Sequence, residues 1–104
     1  MTVTGGAKQY TFTAVNEGID FKGIKRRVTG ITFQGAGLTA AQRVLIRDTG
    51  TPGTGSILAD WVTDATTAAN ADLWGNKPAQ FVDGLAIDNG TIAGTWVVTV
   101  FLEL

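Results

Sequence analysis

Residues 95–104, Thr-Trp-Val-Val-Thr-Val-Phe-Leu-Glu-Leu, decide the fold class. Side chains on an extended strand alternate between its two faces, so Trp96, Val98, Val100, Leu102 and Leu104 form one continuous apolar row. Val97 and Phe101 make the opposite face apolar as well, interrupted by Thr99 and Glu103. A strand apolar on both faces belongs at the centre of a sheet covered twice, or is buried by another chain. Residues 95–104 are therefore expected to be paired along both edges or completed by a neighbouring chain. Their odd-numbered face is expected to contribute to a contact with another chain.

The same texture runs through the rest of the sequence. Residues 9–15 alternate Tyr10, Phe12 and Ala14 with Thr11 and Thr13. In 19–33, Ile24 and Val28 lie in even register, whereas Ile31 and Phe33 lie in odd register. The apolar face must switch between them, and Gly30 is where a bulge or sharp bend makes the switch. Strands also read over 43–48, 56–63 and 81–88, the last with Phe81, Leu85 and Ile87 in register. Turns read at Asn16-Glu17-Gly18, in 35–37, in 48–55, in 73–78 and at Asn89-Gly90, a hairpin signal. Residues 64–72 read as strand or irregular connection, and one helical turn fits near 39–42 or 64–70. No apolar stripe of period 3.6 appears anywhere. These features predict an all-β chain. Residues 1–104 form a single domain, an antiparallel β-sandwich or jelly-roll-like barrel of about seven to eight strands.

Composition closes off most chemistry. The 104 residues are 44% hydrophobic and only 16% charged, against roughly 25% charged in an average soluble protein. There is no cysteine and no histidine, which excludes disulfides, Cys/His zinc sites, thiol nucleophiles and histidine bases. Ser56 is the only serine and lacks a Gly-x-Ser-x-Gly setting. The glycine-rich pieces at 35–37 and 50–55 do not end in Gly-Lys-Ser/Thr, so they read as turns rather than phosphate loops. Asp60, Asp64, Asp72, Asp83 and Asp88 match no calcium loop and read as turn or surface residues. The expectation is a non-enzymatic protein without a cofactor or a metal. A net charge of −1 gives no field toward nucleic acid or an anionic membrane, and no run approaches the roughly 20 apolar residues of a membrane helix.

What remains are candidate contact residues. Lys22, Lys25, Arg26 and Arg27 form the main charge cluster, read first as edge-protecting charges, next as a subunit or shell contact and last as a nucleic-acid patch, for which flanking exposed aromatics are lacking. Arg26 falls between Ile24 and Val28 in register, so it marks a bulge or pairs at the sheet edge. In 43–48, Val44 and Ile46 share the core face. That leaves Leu45 outward between Arg43 and Arg47, the composition of an interface. Trp61 and Trp96 sit in core register. Trp74 stands beside Gly75-Asn76 in a loop, where it caps the core, meets a neighbouring subunit or stacks on a sugar. Phe101 completes the set.

The stretch IKRRVTGITFQGAGLTAAQRVLIRD from Ile24, with ILADWV from Ile57 and FVDGLAI from Phe81, resembles small structural proteins of tailed bacteriophage virions. The likeness lies in a strand ending Ile31-Thr-Phe-Gln-Gly35, a strand closing on Ile46-Arg-Asp48, an Asp83-Gly-Leu85 strand and a strand running to Leu104. It spans about 80 residues, and its motifs are turn and packing patterns. The resemblance implies a β-sandwich or jelly roll, made in the host cytoplasm and carried in the virion. It implies a capsid decoration (cement) protein or a minor head or tail component, self-associated as a homo-oligomer (a trimer by analogy) and bound to the major capsid protein or another virion protein. Lys25, Arg26, Arg27, Arg43, Leu45, Arg47, Trp74 and Phe101 are its candidate subunit or shell contacts. The alternative is a carbohydrate- or receptor-binding β-module with Trp74 as its stacking platform.

Overall fold

A computed structural model describes residues 3–5, 8–39, 42–63, 68–88 and 92–103. They form ten strands: β1 (Val3–Gly5), β2 (Gln9–Phe12), β3 (Glu17–Asp20), β4 (Arg26–Ala36), β5 (Arg43–Arg47), β6 (Ile57–Val62), β7 (Ala68–Asp72), β8 (Gln80–Val82), β9 (Gly84–Ile87) and β10 (Thr95–Glu103). The larger sheet runs β1-β2-β10-β4-β7, with β8 also paired to β4; the smaller runs β3-β9-β5-β6. All pairings are antiparallel. The two sheets pack into a β-sandwich. Phe12, Val28, Ile31, Phe33, Val98 and Val100 from the larger sheet meet Val44, Ile46, Leu58, Leu85 and Ile87 from the smaller.

β10 lies inside its sheet, between β2 and β4, as its doubly apolar sequence requires. Trp96, Val98, Val100 and Leu102 are buried, and the odd-numbered residues face outward. Leu104 and the Asn89-Gly90 turn lie outside the described residues. The register switch falls at Gly30. Phe101 pairs with Gly30 but Leu102 pairs with Val28, so Thr29 is the extra residue of a bulge. That bulge turns Val28, Ile31 and Phe33 to one face.

Ten strands exceed the seven or eight expected because two apparently continuous strands are each divided between the sheets. β3 and β9 pair in the smaller sheet; β4 and β8 pair in the larger. The chain crosses between sheets through residues 21–25 on one side and through Asp83 alone on the other, where Phe21 N donates to Asp83 O. The surplus residues make a turn with positive φ at Lys22 and Gly23, and Ile24 is 71% exposed rather than in core register. Crossing at Asp83 also separates Phe81 from Leu85: Phe81 points outward from the larger sheet, while Leu85 enters the core. β1 supplies the third addition, and β7 lies in the stretch 64–72 that already read as strand or irregular connection. Of the places where a helical turn fits, 40–41 and 64–67 lie outside the described residues, and Ala68–Asp72 is strand.

A similar irregularity affects β6. The register with β5 slips at Ile46/Arg47, so Leu58 becomes an extra buried residue and Ile57 turns outward. Trp61 packs against Phe33 at 5.0 Å between ring centroids, and Trp96 stacks on the same ring at 6.2 Å.

Candidate functional site

The two sheets differ in what covers their outer faces. On the smaller sheet the outward residues include Gly18, Gly84, Ala86 and Leu45. The backbone at Thr49 and Gly50 lies directly over Gly18 and Gly84. Arg47 anchors this connection, since its guanidinium donates to Gly55 O at 3.0 Å and to Asp88 Oδ2 at 3.3 Å. Arg43 donates two hydrogen bonds to the Asp60 carboxylate, one at 2.7 Å.

These two ion pairs correct the reading of Leu45. Leu45 does point outward between Arg43 and Arg47, yet it is only 5% exposed. It sits opposite Asp60 in register and accepts a backbone hydrogen bond from Asp88 N. Its flanking charges are already tied to acids of the same chain, so Leu45 is a buried packing residue and not a contact surface. Arg47 is likewise engaged within its own chain.

Of the three readings of Trp74, the structure has the core cap. The residue is 3% exposed and belongs to the core cluster, with Nε1 donating to Lys77 O at 3.1 Å. Asp72 Oδ1 accepts from the backbone N of both Trp74 and Gly75, which holds the loop in place. With its ring covered, Trp74 caps the core and offers no platform for a sugar.

The Arg43–Asp60 pair carries a pH signature. The hydrogen bond from Arg43 holds the Asp60 carboxyl below its ordinary value of 3.8. A carboxyl with a depressed folded-state pKa contributes stability above its unfolded pKa and loses it as pH falls through the folded value. Asp60→Asn is therefore expected to unfold at lower urea than the parent at pH 7, with the gap closing below pH 3.8. A gap that does not narrow as the pH falls below 3.8 would mean that packing, not charge, carries the contribution. High salt should narrow it as well, because the pair is exposed.

Among the described residues, nothing covers the outer face of the larger sheet in this way. Along β10 it presents Thr95, Val97, Thr99 and Phe101, with Thr32 and Gln34 beside them on β4. Asp72 of β7 adds an exposed carboxylate beside Thr32, and along β4 and β10 charge appears at one end only. There Phe81, Arg27 and Glu103 form a row across β8, β4 and β10. Arg27 Nη1 meets Glu103 Oε2 at 2.9 Å, and its guanidinium lies 5.9 Å from the Phe81 ring centroid. Lys25 and Asp83 form a looser pair at 3.7 Å beyond them. Phe81 is 62% exposed and Phe101 39%. Arg26 faces the other way, over the Phe21 ring at 5.4 Å, beside an open cleft of about 270 Å³ lined by Tyr10, Ile19 and Phe21.

Of the expected contact residues, the structure brings Lys25, Arg27 and Phe101 onto one face and separates them from Arg26, Arg43, Leu45, Arg47 and Trp74. Sequence reasoning missed Phe81, Asp83 and Glu103. The Asp83-Gly84 dipeptide, a turn signal inside an apolar run, is the mark that Phe81 and Leu85 part company. The chain matches no family model, no curated protein and no solved structure.

Proposed function

We propose that this chain is a non-enzymatic structural protein of a tailed-phage virion, a capsid decoration protein that associates with copies of itself and seats on the shell. The observation that carries the reading is the outer face of the larger sheet, which no described residue covers. It is poor in charge, holds two exposed phenylalanines and has Arg27 at its margin. Interface centres have that composition: charged residues are depleted, and aromatic residues and Arg are enriched. A solvated sheet face ordinarily alternates apolar-in with polar and charged-out residues. The particle itself enters from the resemblance of the strand and turn motifs.

The test is sedimentation of the chain alone and with purified particles. The expected result is self-association, with stoichiometric recovery on particles. Phe101→Ser and Phe81→Ser should each weaken association about tenfold, the scale of a well-placed aromatic anchor, while shifting the melting temperature little. A chain that stays monomeric and never travels with particles would refute the reading.

A further inference from the structure

We propose that two copies of this chain pair face to face through β4 and β10 of the larger sheet, about a two-fold axis parallel to the strands. Arg27 of each copy then lies against Glu103 of the other. The inference rests on the reading that the chain self-associates, and it names the surface and the symmetry.

Charge order selects this arrangement. Arg27 and Glu103 are direct neighbours across β4 and β10, one cation and one anion at equal height. A two-fold axis running between these strands exchanges them, so each cation faces an anion and two ion pairs form across the interface. An axis perpendicular to the strands would instead lay the charged end on the end carrying Thr95 and Ala36, leaving both charges without partners from the other copy. Each chain already pairs Arg27 with Glu103, so the parallel axis adds two ion pairs to those and the perpendicular axis adds none.

Shape agrees with charge. Phe101 leans across the bulge, its Cδ2 3.6 Å from where a Gly30 side chain would begin. The ring therefore lies near the line between β4 and β10, and the axis brings the two Phe101 rings together at the centre of the contact. Aromatic residues at interface centres carry a large share of binding energy. Away from the rings the face has short side chains such as Val97, Thr99 and Thr32, which suit sheets packed roughly 10 Å apart. A two-fold contact uses the same patch twice and closes as a dimer; the trimer implied by the phage resemblance would need a different, head-to-tail surface.

Two charge reversals test the pairing. Arg27→Glu leaves two acids at that end of β4 and β10, and Glu103→Arg leaves two cations there, so neither variant retains the pair within its own chain. Each alone is expected to dimerise at least ~10-fold more weakly than the parent, because like charges face each other. An equimolar mixture should recover dimer at near-parent affinity, since only the mixed pair sets acid against cation. Recovery on mixing has to come from a contact between chains. If the parent associates but the mixture does not recover, or the single variants associate normally, the pairing is overturned while self-association stands. A parent trimer unmoved by the reversals likewise overturns the pairing alone. A parent that is monomeric up to millimolar concentration defeats both the pairing and the self-association reading. Both variants should fold, because a half-exposed ion pair contributes little. Should either fail, Thr99→Lys places an ammonium at the middle of the face and is expected to abolish the dimer; a persisting dimer overturns the proposal.

Discussion

Leu45→Asp is expected to destabilise the folded monomer by about 5 kcal/mol, a large part of what a domain of this size has. Two losses combine. Removing a buried leucine side chain costs roughly 2–5 kcal/mol, and a carboxylate buried without its own partner adds to that. The neighbouring arginines offer little relief. Arg43 is bonded to Asp60 and Arg47 to Asp88, so a third acid would compete for two occupied cations. At about 4–8 °C per kcal/mol, the melting temperature should fall by roughly 20 °C or more. Leu45→Met, which conserves volume, should cost under about 1.5 kcal/mol. A thermal melt beside a mass measurement separates this outcome from its rival. If Leu45→Asp melts near the parent temperature and only association weakens, Leu45 is a surface contact and its burial within one chain counts for nothing.

Leu45 also marks where sequence reading stops. Its outward direction follows from alternation along β5, a local property, and the structure has it. What lies around it depends on distant residues: Asp60 comes from β6 and Asp88 from the end of β9. The same division runs through the rest of the fold. The doubly apolar β10, paired on both edges, and the bulge at Gly30 rest on period-2 patterns within one segment, so they were legible. The corner at Asp83 was not, because β8 and β9 together read as one alternating strand. Only pairing with β4 on one side and with β3 and β5 on the other reveals that it belongs to two sheets. Trp74 was legible as a loop residue, while its depth was set by the Asp72 turn and the Lys77 carbonyl. For the candidate site, Lys25, Arg27 and Phe101 were found by charge and alternation. Their partners Asp83 and Glu103 required the register, and Phe81 required the corner.

Gly18→Ala is expected to cost about 3 kcal/mol and to lower the melting temperature by roughly 10–25 °C. Backbone conformation is not the cause, since Gly18 is absent from the positions with positive φ. The cause is close approach. A Cβ at Gly18 would fall well inside van der Waals distance of the Gly50 carbonyl oxygen and 3.2 Å from the Ala86 Cβ. Backbone cannot swing aside as a side chain can. Gly50 has no room to yield either, because its own Cβ position lies 2.8 Å from Asp20 N. Gly84 completes the crossing, with Gly50 N 2.6 Å and Ile19 O 2.7 Å from its Cβ position. Three glycines thus let one connection cross two paired strands in direct backbone contact. Gly30→Ala is the control, because its Cβ would meet only the Phe101 ring at an ordinary 3.6 Å and should cost under about 1 kcal/mol. The connection has one route of escape, which is to lift away from β3 and β9 while the sandwich stays closed. In that case the melting temperature of Gly18→Ala falls less, but protease cleavage within 49–55 accelerates, since lifting breaks the Arg47 bond to Gly55 O. A variant with neither a lower melting temperature nor faster cleavage would show that the connection does not lie across Gly18.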